Sequence, residues 1–395
     1  MSRFLVHEVP VLGRPGTHVL IIGVGRYPHL IGGETPCRNP DGMGQLSSPP
    51  ISARELAAWF VAGYNDPGKE LASVALLLSE ADPQPFRNPK TNEPFDIEDA
   101  TGDNAEAAIR EWRDRADSDP GNRLFFYFCG HGVCEGEDMA LLTSDFCSDD
   151  HNPLQGAIDF RRLRGGLKKC KASEQVFFID ACRANSDVLI GDSDGWAGRV
   201  PLLPGRRPAD LPRELAVPYY ATLAGDQAYA RENSVSLFTE ALLRSLRGAA
   251  SDDPEGPAGD WRVNTTRLQE AIDHFMKEPV FAGAIAGVQV PVAGQLPVFV
   301  FHRLTGPPEV PVYVGCEAPG DNALAEFVCL QGGAERARRA LADVDPADPQ
   351  REWSLPLPFG NYGFRAEVAA EGQPRSIDSF GVRPVSRRVR LPATQ

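Results

Sequence analysis

The sequence has no long hydrophobic run. Its longest uncharged stretch, Phe281 to Phe301, is broken by Pro291, Pro297, Gln289, Gln295 and three glycines, a composition of strands and turns and not of a membrane-spanning helix. The opening residues Met1 to Glu8 lack the apolar core of a signal peptide, so a cytoplasmic protein without a membrane partner is expected. Positive charge is in deficit: 40 Lys and Arg face 54 Asp and Glu, a net charge of −14. Such a surface repels phosphate backbones, and nucleic acid is not expected as a partner. Cysteine is present but unpatterned. The eight residues Cys37, Cys129, Cys134, Cys147, Cys170, Cys182, Cys316 and Cys329 form no C-x2-C pair and no small-domain disulfide framework. They are expected to remain thiols, mostly buried as small apolar residues, with no zinc site. No internal repeat is evident. The pair Gly23-x-Gly25 lacks the third glycine of a dinucleotide-binding turn, since the chain continues Arg26-Tyr27-Pro28.

What is there suffices for a sizeable core: 395 residues, 42% hydrophobic and 24% charged. Short apolar runs at Val19–Gly25, Leu124–Cys129 and Val176–Ile179 read as buried strands. Leu71–Leu78 is a strand or a helix, and the run alone does not decide. Helices are expected from about Ser52, from about Asn104 with Asp103 or Asn104 as cap, near Phe160–Cys170, over Leu237–Leu246 and around Leu268–Met276. Strands alternating with helices imply an α/β fold, an open and mostly parallel sheet covered on both faces. From about Thr305 the pattern turns to short extended segments such as Val310–Val314 and Tyr362–Val368. The expected organisation is one domain over 1–304, with long loops at 28–50 and 187–213, and a small β-rich accessory domain over 305–395.

Two motifs carry chemistry. The Leu124–Cys129 strand is followed by Gly130-His131-Gly132, and the Val176–Ile179 strand by Asp180-Ala181-Cys182-Arg183. Both reactive side chains therefore lie just past the carboxyl ends of buried strands, the edge where open α/β sheets bind ligands. Cysteine is a good nucleophile once a base takes its proton, and histidine titrates near neutrality and can also protonate a leaving amine. Glycines beside His131 allow a substrate to approach the backbone closely. The amides of Gly132 and Cys182 are candidate oxyanion donors, each worth ~3 kcal/mol in such sites.

The order His then Cys, 51 residues apart, with Asp180-Ala181-Cys182-Arg183-Ala184 around the nucleophile, resembles the caspase and metacaspase superfamily. The Val19–Gly25 strand followed by Arg26-Tyr27, and Phe238-Thr239 opening a helix, are similar too; the resemblance covers roughly residues 17–302. It implies a caspase-like cysteine endopeptidase with catalytic His131 and Cys182. The family's glutamine two residues before the nucleophile is Asp180 here, an acidic position that in metacaspases lines the first specificity pocket and implies cleavage after basic residues, Arg above Lys. Metacaspases carry a further aspartate before the first helix. Residues Leu46 to Ser52 hold none, which leaves Asp41 and Asp226 as candidates for that substrate-binding role, while Arg38 keeps an acidic preference as the alternative.

The 187–213 segment, with Arg199, Arg206, Arg207 and Arg213, stands where caspases are cut between subunits, and implies activation by self-cleavage or by a protein partner. Some metacaspases need calcium, and Asp145, Asp149, Asp150 and Asp159 stand at a comparable place. Carboxylates suit such a hard cation, but aspartate-rich loops are usually just solvated, and no cofactor is expected. The implied partners are protein substrates, with an activating or inhibitory protein, in a bacterial stress, cell-death or defence pathway. The competing readings are a catalytically silent scaffold on the same fold, and a Cys-His hydrolase on another α/β fold that needs no basic pocket.

Overall fold

The computed structural model describes residues 2–11, 13–135, 138–182, 184–185, 198–222, 232–252, 260–278, 292–293, 297–369 and 373–392. The chain divides into two compact units, Met1–Leu243 with Ile272–Phe299, and Arg244–Ala271 with Val300–Gln395.

The first unit is built on a seven-stranded sheet. Its strands are β1 (Leu5–Glu8), β2 (Gly16–Val24), β3 (Glu70–Ser79), β4 (Arg123–Gly130), β5 (Glu174–Ala181), β6 (Leu215–Tyr220) and β7 (Val292–Ala293). They lie in the order β1-β3-β2-β4-β5-β6-β7. The central pairs β3/β2, β2/β4, β4/β5 and β5/β6 are parallel, and β1 and β7 close the edges antiparallel. β2 and β4 are buried along their whole length, as expected of parallel strands covered on both faces. The Leu71–Leu78 run is thereby resolved as a strand: apolar residues on both sides of β3 are used by two helical layers.

Alternation along the central strands divides the core. Phe125 and Phe178 face one layer, where Phe60 of helix α1 (Ser48–Gly63) meets Phe125 at 4.4 Å and Phe238 of α4 (Leu237–Arg244) meets Phe178 at 6.4 Å between ring centroids. Phe126 and Phe177 face the other, against Trp112 of α2 (Gly102–Ala116) and Phe160 of α3 (Phe160–Leu167). A fifth helix, α5, spans Thr265–Met276.

Two helix starts differ from expectation. α1 begins at Ser48, with Pro49 and Pro50 in its first turn, positions whose missing amide hydrogens cost the helix nothing. α2 is capped by Thr101, whose hydroxyl accepts the Asn104 N–H at 3.2 Å, and not by Asp103 or Asn104. Between β3 and α2 the chain also forms a two-strand hairpin, Phe86–Arg87 with Pro94–Phe95.

In the second unit, Glu309–Cys316 pairs with Trp353–Pro358 and Arg387–Leu391. A four-stranded sheet runs Ala334–Arg339, Ala325–Gln331, Gly360–Val368, Arg375–Val382. Inward residues of both sheets, among them Val312, Val314, Phe327, Leu357 and Phe364, form one apolar core. No helix among the described residues is long and apolar enough to cross a membrane.

At the amino-terminal end of β4 and β5 a buried charge is fully answered. Arg123, 1% exposed, donates to Glu174 (2.7 Å), Asp66 (3.1 Å) and the Tyr64 hydroxyl (2.7 Å). Arg123→Ala would take a buried cation from Asp66 and leave Glu174 with Lys69, at 3.3 Å, in its place. A loss of about 3–5 kcal/mol in unfolding free energy is expected, read from denaturant unfolding of the purified chain. A loss below 1 kcal/mol would show that this network contributes little.

Candidate active site

The geometry begins with strand register. β4 and β5 pair in parallel with Cys129 opposite Asp180 and Gly130 opposite Ala181. The next residue on each strand is His131 and Cys182, so the two leave the sheet side by side, on strands whose spacing is about 4.8 Å.

His131 is fixed at three points. Its backbone N–H donates to the Tyr27 hydroxyl at 2.8 Å, and its carbonyl accepts from Leu142 N at 3.0 Å. Its Nε2 lies 2.7 Å from the Gly44 carbonyl. A carbonyl only accepts, so Nε2 carries the hydrogen and Nδ1 of the neutral ring carries the lone pair. Burial lowers the His131 pKa below its ordinary value, and the Gly44 carbonyl opposes that shift.

Tyr27 organises this corner. It is fully buried, its ring lies 4.9 Å from the imidazole, and its hydroxyl donates to the Leu142 carbonyl at 3.2 Å. Gln45 in turn accepts the Tyr27 N–H at 2.8 Å and donates to the Tyr27 carbonyl at 2.9 Å. Gly44 and the ring it holds are thereby tied to one residue.

The glycines beside His131 have a different use from the expected approach of substrate. A β-carbon on Gly130 would stand 2.8 Å from the Tyr27 hydroxyl, and one on Gly132 would stand 2.7 Å from the Cys182 carbonyl. Both make room for the protein's own backbone and side chains. Gly132 lies beside Cys182, although it does not line the cleft described next. Cys182 itself is half-exposed.

His131, Cys182 and Asp180 line one cleft of about 1040 Å³. Asp180 is 4% exposed. Its Oδ2 accepts from the hydroxyls of Thr239 (2.8 Å), Tyr127 (3.4 Å) and Ser236. Burial raises its pKa, and the hydrogen bonds from Ser236, Thr239, Cys129 and Tyr127 oppose the rise. The Cys129 thiol is pushed well above its usual value by burial and then by the Asp180 charge, so it stays protonated beside the carboxyl. The cleft wall adds Glu34, Glu80, Asp82 and Glu232; Arg26, also in the wall, is paired with Glu34 at 2.8 Å.

The remaining sequence candidates sit elsewhere. Asp41 lies in a turn at φ 49° and is not among the cleft residues, and Asp226 is outside the described residues. Arg38 pairs with Asp150 away from the cleft. Each aspartate of the calcium candidate has a local partner. Asp145 accepts from Gly102 N and the Thr143 hydroxyl, Asp149 from His151 N, Asp150 from Arg38 N, and Asp159 from Arg162 N as the cap of α3. Among the described residues no three His, Cys, Asp or Glu side chains are grouped to hold a metal. Sequence reasoning missed Gly44, Gln45, Ser236 and the acidic wall. Tyr27 and Thr239 were noted only as parts of motifs, and no local signal marks Gly44 within a Gly- and Pro-rich loop.

The caspase domain profile matches residues 17–292. An uncharacterized protein, y4kE, of Sinorhizobium fredii is 34% identical over 176 residues, 44% of this chain and 49% of that protein. A probable protease of a Desulfuromonadales bacterium is 29% identical over 144 residues, 35% of this chain and 17% of that protein. The chain therefore spans about half the length of the first and a smaller part of the second. The crystal structure of caspase-1 from Spodoptera frugiperda aligns with a TM-score of 0.40 at 12% identity, covering 72% of this chain and 89% of that one.

The His131 ring is expected to titrate below 6.5 by NMR, because burial disfavours the imidazolium. As pH falls from 6.5 through that depressed value, protonation favours the unfolded chain and this residue's contribution to stability is lost. A midpoint at or above 6.5 would contradict the assignment. Tyr27→Phe removes the acceptor of a buried N–H and is expected to lower stability by about 1–3 kcal/mol in denaturant unfolding.

Proposed function

The chain belongs to the caspase domain family, and on that premise we propose that it is a cysteine endopeptidase that cleaves proteins after basic residues, Arg above Lys, with His131 and Cys182 as the reacting pair. The observation that carries this reading is the β4/β5 register, which brings both residues to one cleft together with the buried Asp180.

In this reading His131 Nδ1 takes the Cys182 thiol proton while Gly44 keeps Nε2 protonated, and the sulfur attacks the peptide carbonyl. The amides of Cys182 and Gly132 hold the tetrahedral oxyanion. The imidazolium then protonates the leaving amine. Water, deprotonated by the same ring, hydrolyses the thioester and returns the thiol.

Specificity follows from what surrounds Asp180. Its partners are neutral hydroxyls and a thiol, and none of those hydrogen bonds brings a positive charge. A substrate guanidinium supplies that charge, favours the ionised carboxylate and can form paired hydrogen bonds with it. Asp82 and Glu232 in the wall act in the same direction over the approach path, whereas Glu80 is paired with Arg54 at 2.6 Å. Arg38, the cation an acidic preference would require, is 87% exposed and tied to Asp150. The probable-protease name of the Desulfuromonadales relative supports the peptidase reading and says nothing of the side chain preferred.

Activation by a cut within 187–213 is part of this proposal, as is an accessory role for residues 305–395. Residues 186–197 are outside the described residues. Arg199 is anchored to Asp103 and the Gln155 carbonyl, and Arg207 to the Cys170 and Lys171 carbonyls, whereas Arg206 and Arg213 are exposed. The two exposed arginines are therefore the proposed cleavage points.

Fluorogenic peptides ending in Arg, Lys or Asp, with and without calcium, test the reading. Wild type should turn over Arg fastest. Cys182→Ala and His131→Ala should each lose at least ~1000-fold in kcat, and Asp180→Asn should lose the Arg preference. No turnover by wild type, even after limited cleavage in the linker, favours the silent scaffold. Turnover surviving Cys182→Ala refutes the mechanism.

A further inference from the structure

Outside the reacting pair, two thiols are neighbours. Cys37 and Cys147 are close enough to influence each other, and Cys147 Sγ reaches the carbonyl of Asn39, two residues beyond Cys37, at 3.9 Å. The contact is framed on both sides. Arg38 N–H donates to Asp150 Oδ1 at 3.0 Å, and its Nε lies 3.4 Å from Oδ2. Cys147 belongs to the main apolar core of the first unit, and Cys37 packs against that core. Cys147 takes φ 65°, a left-handed conformation uncommon for a residue with a β-carbon, so its backbone is held by more than local preference.

The segment that carries Cys37 starts and ends at the cleft. Ile31 N–H donates to the Met43 carbonyl at 3.1 Å, and Ile31 is bridged to Gly44. Residues 32–43 are thus an excursion with its stem at the carbonyl that holds His131 Nε2 and its tip on the Cys147 turn. Gly32, Gly33 and Gln45, at the stem, line the cleft.

We propose that Cys37 and Cys147 are a redox-modified pair, oxidised to a disulfide that fixes residues 28–46, and with them the Gly44 acceptor of His131, against the core. The disulfide itself stands independently of the peptidase reading; only its bearing on catalysis rests on that reading. The oxidant is a peroxide, and the chemistry runs in two steps. The partly exposed Cys37 sulfur attacks one peroxide oxygen and breaks the O–O bond. Its own proton leaves with the departing oxygen as water, and a sulfenic acid remains on Cys37. The Cys147 sulfur then attacks the Cys37 sulfur, the S–O bond breaks, and the Cys147 proton leaves with the hydroxide as a second water. Two thiols lose two hydrogens and one hydrogen peroxide becomes two waters. Burial, and after it the neighbouring Cys37 thiol, keep Cys147 protonated, which leaves the first attack to Cys37; Cys147 gives up its proton only in the resolving step.

Two packed thiols can also be plain apolar filling, and the test separates the two. Full-length Cys182→Ala protein, which lacks the active-site thiol, is treated with hydrogen peroxide, alkylated, digested and mapped by mass spectrometry. The expected product joins the Cys37 and Cys147 peptides, lighter by two hydrogens and restored by dithiothreitol. Amide exchange across residues 28–46 should slow by about ten-fold on oxidation. Both effects should vanish in Cys37→Ser, a change at the partly exposed member that leaves the buried one in place. Cys37 recovered as sulfinic acid with Cys147 unlinked, or a linked product with unchanged exchange, overturns the proposal. No step reads turnover. A chain that forms the link but hydrolyses no peptide keeps this pair and loses the peptidase reading; a chain that cleaves Arg peptides and forms no link does the reverse.

Discussion

One strand register governs the chemistry open to this chain. Gly130 pairs with Ala181, and everything at the cleft follows from the single residue by which each strand continues. A slip by one residue would reverse the faces of every side chain on β5. Phe177 and Phe178 would exchange layers, and Cys182 would part from His131. The aromatic contacts that hold the register, Phe125 with Phe60 and Phe178 on one face and Phe126 with Trp112 and Phe160 on the other, are therefore also what sets His131 beside Cys182. Apolar packing and site geometry are the same constraint seen at two ends of a strand.

The two ends of β4 and β5 treat charge in opposite ways. At the amino-terminal end Arg123 is buried among two carboxylates and a phenol, so its charge is answered within the protein. At the carboxyl-terminal end Asp180 is buried among hydroxyls and a protonated thiol. Hydrogen bonds from neutral donors satisfy its lone pairs without compensating a negative charge. The first arrangement is complete as folded. The second has no cation among its hydrogen-bond donors.

Burial also sets the resting state of the histidine. Withdrawing His131 from water favours its neutral ring, and the Gly44 carbonyl selects which nitrogen holds the hydrogen. The residues that impose this, Tyr27 and Gln45, precede β4 in sequence by two helices and a strand of the same sheet. They act by holding backbone atoms, through the Tyr27 hydroxyl and the Gln45 amide. The tautomer of His131 is thus set by a corner whose role is purely structural.

The α/β architecture was legible because buried parallel strands leave an unmistakable composition: Val19–Gly25, Leu124–Cys129 and Val176–Ile179 carry no charge and need none. The places of His131, Cys182 and Asp180 at the sheet edge were legible because each stands within three residues of such a run's end. Other features were not. The Leu71–Leu78 run was ambiguous, since a stretch apolar on every side suits a strand or a helix equally until its neighbours are known. The start of α1 was placed too late because prolines in a first helical turn look like loop.

By itself, then, the sequence determined which residues are chemically able and which edge of the sheet presents them, since both are short-range properties of strand composition and strand ends. Tertiary structure alone decided the rest: that Gly44 chooses the histidine tautomer, that Gly130 and Gly132 clear space for Tyr27 and the Cys182 backbone, that Ser236 and Thr239 close on Asp180, and that Cys37 comes near Cys147. Each of these pairs residues far apart in the chain, and their meeting depends on how helices and loops pack over the sheet, which no local pattern encodes.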